Sequence, residues 1–134
     1  MKFEDLKVGM KDQTQKTITE ADVLLFSGVS TDTNPLHISE EAAKKGIFKS
    51  RVAHGMLVAS LISAVLGTKL PGEGTIYLGQ ELKFKRPVYL GNTITAICEI
   101  TELIPEKSLV ILNTTCVNQD GVEVITGKAT VMVK

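Results

Sequence analysis

The stretch GMLVASLISAVL, from Gly55 to Leu66, is apolar on nearly every face of a helix, and this constrains the rest of the chain. Such a helix is predicted to be buried all round, with Gly67 closing it. The run from Met56 to Leu66 is interrupted by Ser60 and Ser63 and is too short to span a bilayer, so other parts of the protein must wrap it. Four β-type runs follow: Thr75–Lys85, Asn92–Leu103, Lys107–Asn118 and Val122–Val133. In the first, Leu82 and Phe84 alternate with Glu81, Lys83 and Lys85; in the last, Val131 and Val133 alternate with Thr130 and Met132. Turns are predicted at Gly91-Asn92, Pro105-Glu106 and Gln119-Asp120-Gly121, and the last two are short enough for hairpins. Twelve helical residues rise about 18 Å, similar to a strand of five or six residues. The expectation is an α+β fold, a long antiparallel sheet wrapped around one central helix.

The first third reads as helix and loop. Thr19-Glu20-Ala21-Asp22 is a start signal ahead of Val23, Leu24 and Phe26, with Gly28 as a stop. Thr31 to Asn34 are turn formers before Pro35, and Ser39 caps a short helix over Glu40–Lys45 that ends at Gly46. With 134 residues and no repeat or linker, one domain over 1–134 is expected. Fifteen Lys+Arg balance fifteen Asp+Glu, and aromatic residues make up 4% of the chain. That composition lacks the basic field and stacking platforms of a nucleic-acid binder, and the field that would hold an anionic membrane. The N-terminal MKFEDLKVGM has no apolar block followed by a cleavage site, so the cytoplasm is the expected location. Cys98 and Cys116 lack a CxxC spacing and read as two small buried apolar side chains.

Proton transfer near neutral pH has few candidates, because there are two histidines, His37 and His54. The segment Asp32-Thr33-Asn34-Pro35-Leu36-His37 carries a carboxylate and an imidazole across a proline-stiffened loop. A turn there can aim both at one small volume, which is what adding water across a polarised double bond requires. The same residues also suit plain roles, an Asp capping turn amides and a His in the core. Ala53-His54-Gly55-Met56 opens the apolar helix, whose free N–H groups suit negative charge, and Gly55 lets a carbonyl oxygen come close. Gly55 serves equally as an N-cap. Ser60 and Ser63 share a stripe with Met56, but no GxSxG surrounds them to mark a nucleophile. His37, His54 and Asp32 have no specific metal-ligand spacing, and no phosphate-binding glycine motif is present; no metal and no cofactor are expected. Lys83, Lys85 and Arg86 form the one basic cluster, with Lys83 and Lys85 placed on one strand face by alternation.

The strings FSGVSTDTNPLHISEEAA, RVAHGMLVASLISAVLG and IYLGQELKFKRPVYLGNTI closely resemble the R-specific enoyl-CoA hydratases of the MaoC-like dehydratase family, which adopt the hotdog fold. The resemblance runs in register from about Thr17 to the C-terminus, and D-x-N-P-L-H is its most specific block. It implies that Asp32 and His37 are the acid/base pair on the attacking water; Asp32 is read as the base and His37 as the donor, with a reversed or shared division left open because both touch the same water. It further implies that Gly55 polarises the thioester carbonyl and that Ser63 lines the site beside the pair. Lys83, Lys85 and Arg86 then become candidates for the phosphate end of CoA. The implied reaction is reversible syn addition of water to a short trans-2-enoyl-CoA, giving the (R)-3-hydroxyacyl thioester, by a protein that is at least a homodimer. Alternatives are 3-hydroxyacyl-ACP dehydration, thioester hydrolysis, and a non-catalytic acyl-CoA-binding subunit. Asn92 stands where relatives often carry an acid after the glycine, at a turn away from the motif.

Overall fold

The computed structural model describes residues 1–134. Five strands, β1 (Lys11–Thr17), β2 (Ile76–Phe84), β3 (Thr93–Ile104), β4 (Leu109–Val117) and β5 (Glu123–Met132), form one antiparallel sheet in the order β1-β3-β4-β5-β2. The helices are α1 (Glu20–Ser30), α2 (Pro35–Ile38), α3 (Glu40–Lys45) and α4 (Gly55–Thr68). The strands from β2 onward and the central helix fall where apolar periodicity places them. One face of the sheet carries Ile94, Ala96, Cys98 and Ile100 from β3 and Val110, Leu112 and Cys116 from β4, all fully buried against α4. Cys98 and Cys116 are buried free thiols, and burial pushes each up to about 12, so neither is a nucleophile at neutral pH.

Three expectations need correction. The central helix is not covered on all sides. Val58, Ala59, Ile62, Val65 and Leu66 face the sheet, but Met56 is 57% exposed and Ser60, Ser63 and Ala64 are exposed as well. A single open five-stranded sheet reaches around only part of a cylinder. Neither glycine ends its helix: Gly67 lies inside α4, which runs to Thr68, and Gly28 lies inside α1, which continues to Ser30 and ends where Thr31 takes a left-handed φ of 65°. Its start is as expected. Thr19 Oγ1 accepts from the Asp22 N–H and Asp22 Oδ2 from the Thr19 N–H, holding the Asp22 carboxyl below its ordinary value. Finally, β1 and α2 fall in segments whose sequence signals neither strand nor helix. KDQTQKT has no apolar face; it is an edge strand held by its ladder to β3, with most side chains in solvent.

Gly127 shows how tightly β2 lies on β5: a Cβ there would stand 2.0 Å from the Glu81 carbonyl oxygen. Beside it the Gln80 amide donates to Glu81 O at 2.8 Å and to Thr114 Oγ1 at 2.9 Å, giving that buried hydroxyl its partner.

Candidate active site

Local chemistry folds the segment after α1 into a rigid hook. Ser30 Oγ accepts from the Asp32 N–H at 3.1 Å, Asp32 Oδ1 from the Asn34 N–H at 3.1 Å, and Asn34 Oδ1 from the Leu36 N–H at 3.2 Å. The last of these caps α2, where Pro35 occupies the first turn and sacrifices no helical donor. One turn of helix then carries His37 inward. Its Nδ1–H donates to Val52 O at 2.7 Å, and because a carbonyl only accepts, Nε2 is the ring atom left facing the cleft. Nε2 lies 4.0 Å from Asp32 Oδ2, with the His37 side chain buried and that of Asp32 half exposed. Two groups at this separation each reach one water at about 2.8 Å.

The start of α4 and the end of β2 close on the pair. α4 begins at Gly55, and the first of its N–H groups with an acceptor is that of Val58, on His54 O at 3.2 Å, so the preceding donors are free at the positive end of a 14-residue helix. Phe84, at the end of β2 and 53% exposed, lies over Gly55; a Cβ on Gly55 would meet its ring at 2.6 Å. Asp32, His37, Gly55 and Phe84 line one cleft of about 470 Å³, whose deeper walls include Val58 and Ile125. Lys85 and Arg86 line the same cleft.

Asp32, His37, Gly55, Lys85 and Arg86 thus come together, while two residues expected with them do not. Ser63 is exposed on α4 and absent from the cleft wall, since eight residues beyond Gly55 place it about 12 Å along the axis. Lys83 is not on the same face as Lys85. β2 ends at Phe84; Lys83 pairs with Thr126 on the outer face, in a polar hollow with Glu81, Asn113 and Lys128, whereas Lys85 leaves the strand and its ammonium sits 3.4 Å from Glu123.

Ser27, Arg51 and Phe84 also touch the site, beyond the residues expected there. Arg51 is buried; its Nε–H donates to His37 O at 2.8 Å, its Nη1 meets Glu20 at 2.6 Å, and Glu40 lies 3.6 Å away. It ties α1 and α3 to the turn that carries His37. A lone arginine leading the apolar Val52-Ala53 was the available signal. His54 stacks on His37 with centroids 3.8 Å apart and planes 24° apart. The carboxylate and both imidazoles have ligand-type atoms within 4.8 Å of one another. A shared cation would have to take His54 through Nδ1, because His54 Nε2 lies 3.0 Å from Asp32 O and must carry the hydrogen. Near-parallel stacked rings also send their in-plane lone pairs side by side, not to one point.

An antiparallel sheet curved over one apolar helix, with an acid–base cleft at that helix's N-terminus, defines a hotdog-fold protein equipped for proton transfer. The chain belongs to the MaoC-like dehydratase family, with the MaoC like domain matching residues 4–120. It is 55% identical over 131 residues to an (R)-specific enoyl-CoA hydratase of Rhodospirillum rubrum, covering 98% of this chain and 90% of that one. It is 45% identical over 131 residues to a 3-hydroxybutyryl-CoA dehydratase of Methylorubrum extorquens, covering 98% and 83%. Among solved structures, the (R)-hydratase of A. caviae involved in PHA biosynthesis superposes with a TM-score of 0.95 at 42% identity, covering 98% of this chain and 99% of that one.

Proposed function

We infer that this protein is an R-specific enoyl-CoA hydratase, adding water reversibly to trans-2-enoyl-CoA to give the (R)-3-hydroxyacyl-CoA. The observation that carries the reading is the 4.0 Å Asp32–His37 pair beside the free N–H groups that open α4. Asp32 takes a proton from the water as its oxygen bonds to C3. The displaced π electrons move through C2 onto the thioester oxygen, which the Gly55 N–H stabilises. His37 enters the step as the imidazolium, with its second proton on Nε2; it delivers that proton to C2 and is left as the Nδ1–H tautomer held by Val52 O, and transfer of the water's proton from Asp32 to Nε2 restores the pair. Acid and base act through one small volume, so both additions fall on the same face of the alkene. The reaction moves no electrons to an acceptor and calls for no cofactor. Val58 and Ile125, both buried, line the cleft with apolar surface for the acyl chain, and we take that chain to be short.

A second copy of the chain is the partner that best suits the uncovered surfaces. The outer edge of β2 is unpaired and exposes Ile76, Tyr77 and Leu78, and the open face of α4 exposes Met56. No helix is long and apolar enough to cross a membrane, and we assign the protein to the cytoplasm.

Crotonyl-CoA tests the reading directly: its conjugated absorbance is expected to fall without release of free thiol. Thiol release in place of hydration would identify a thioesterase, and no change in either would identify a binding subunit. The CoA end is tested by a comparison within the basic cluster. Arg86→Ala and Lys85→Ala are expected to raise KM about 5-fold or more with kcat little altered, because a phosphate group is held equally in the ground and transition states. Lys83→Ala, on the outer face, is expected to leave both constants unchanged.

A further inference from the structure

We infer that His54 is a positioning residue for both members of the acid–base pair, acting through a single ring that holds the Asp32 backbone and braces the His37 imidazole. The inference rests on the hydratase reading of the cleft. His54 is 2% exposed, and its Nε2 lies 3.0 Å from Asp32 O and 3.1 Å from Ser27 Oγ. Because the carbonyl only accepts, Nε2 must carry the hydrogen, and Ser27 Oγ shares it from α1. The neutral ring then has its lone pair on Nδ1, which is buried with no hydrogen-bond partner. One tautomer is therefore selected, with its single N–H directed to the peptide of the general base.

The Asp32 side chain is half exposed and bonds within its own turn only to the Asn34 N–H, so nothing in that turn anchors it to the core. The His54 bond does, because the orientation of the Asp32 peptide sets the direction in which its Cβ leaves the backbone. The same imidazole lies 3.8 Å from the His37 ring at 24° and blocks one side of it, while Val52 O holds His37 Nδ1. Phe26, centroid 4.8 Å away on α1, backs the His54 ring. Two catalytic side chains from two different turns are thus referenced to one buried group, which fixes the distance between them.

Two replacements separate the hydrogen bond from the ring. Gln carries its amide nitrogen as many bonds from Cα as His carries Nε2, so His54→Gln keeps a donor for Asp32 O but loses the stack. Phe keeps a ring against His37 and removes the donor. His54→Phe is expected to lower kcat about 20-fold or more with KM within about 3-fold, the cost of a misplaced catalytic group in an otherwise intact site. His54→Gln, which restores the donor but not the brace on His37, is expected to recover part of that loss. Wild-type rates from His54→Phe, or a His54→Gln no better than it, would overturn the inference. Nitrogen-15 NMR of the wild-type protein supplies a readout independent of activity and of variant folding. It is expected to show a neutral His54 ring protonated at Nε2, and a ring protonated at Nδ1 would overturn the inference even in a fully active enzyme. Absence of crotonyl-CoA hydration by the wild type would instead count against the hydratase reading.

Discussion

Asp32→Asn is expected to reduce turnover of crotonyl-CoA at least ~100-fold, the lower end of what a positioned acid or base contributes. The substitution is nearly isosteric, and an Asn oxygen still accepts the Asn34 N–H that shapes the turn, so the hook and the cleft persist. What disappears is the group that takes the water's proton. His37→Gln is expected to cost at least ~100-fold as well, for loss of the proton delivered to C2. It has a second consequence, because a Gln amide matches the position of Nε2 and leaves Val52 O, the acceptor of the 2.7 Å bond, without its donor. An unpaired buried carbonyl costs about 1–3 kcal/mol, enough to lower the unfolding temperature but small beside the ~5–15 kcal/mol of a typical domain. His37→Asn places its amide nitrogen near Nδ1, keeps that bond, and isolates the catalytic loss. Steady-state rates with a thermal unfolding curve for each variant check both statements. A wild-type rate in any of the three removes that residue from the mechanism.

Gly55→Ala carries the second large effect. A methyl group there enters the space of the Phe84 ring, which would lie 2.6 Å from it, and it also crowds the N–H to which the thioester oxygen must come close. Folding is expected to survive, because Phe84 is half exposed and able to swing outward, and Ala is favoured over Gly in a helix. Turnover is expected to fall about 10- to 100-fold, up to the lower end of what outright loss of one oxyanion donor costs, because the N–H is crowded and not removed. Since both collisions arise from the same methyl, the double variant Gly55→Ala/Phe84→Ala decides between them. Without the phenyl ring only the crowding of the N–H remains, and the double variant is expected to stay as slow as Gly55→Ala. Recovery to the rate of Phe84→Ala alone would mean that Gly55 is there to accommodate Phe84 and has no role at the substrate oxygen.

The legibility of this molecule in its sequence follows the physics of each element. The core strands and α4 are readable because burial on one face writes a period into the letters: Ile94, Ala96, Cys98 and Ile100 alternate, and Val58, Ile62, Val65 and Leu66 recur helically. The edge strand β1 buries no face and so writes no period. Full coverage of α4 is more than the fold provides, because hydrophobicity signals a demand for burial without naming the surface that meets it. In the site, Asp32 and His37 are readable because a proline-stiffened loop keeps near neighbours in sequence near in space. The His54–Asp32 contact is not readable, because its acceptor is a backbone carbonyl that any residue would offer. Resemblance alone places Ser63 at the pair, and the helix carries it to an exposed position outside the cleft. Strand alternation groups Lys83 with Lys85, but it applies only within a strand, and β2 ends between them.

The proposed mechanism has one carboxylate and one imidazole, 4.0 Å apart, add a single water to one face of an enoyl thioester. Hydration of crotonyl-CoA in deuterium oxide, with NMR assignment of the product, measures this stereochemistry at both carbons. The expected product is 3-hydroxybutyryl-CoA of R configuration at C3, with one deuterium at C2 delivered to the same face as the new hydroxyl. A product of S configuration, or deuterium on the opposite face, would contradict the mechanism.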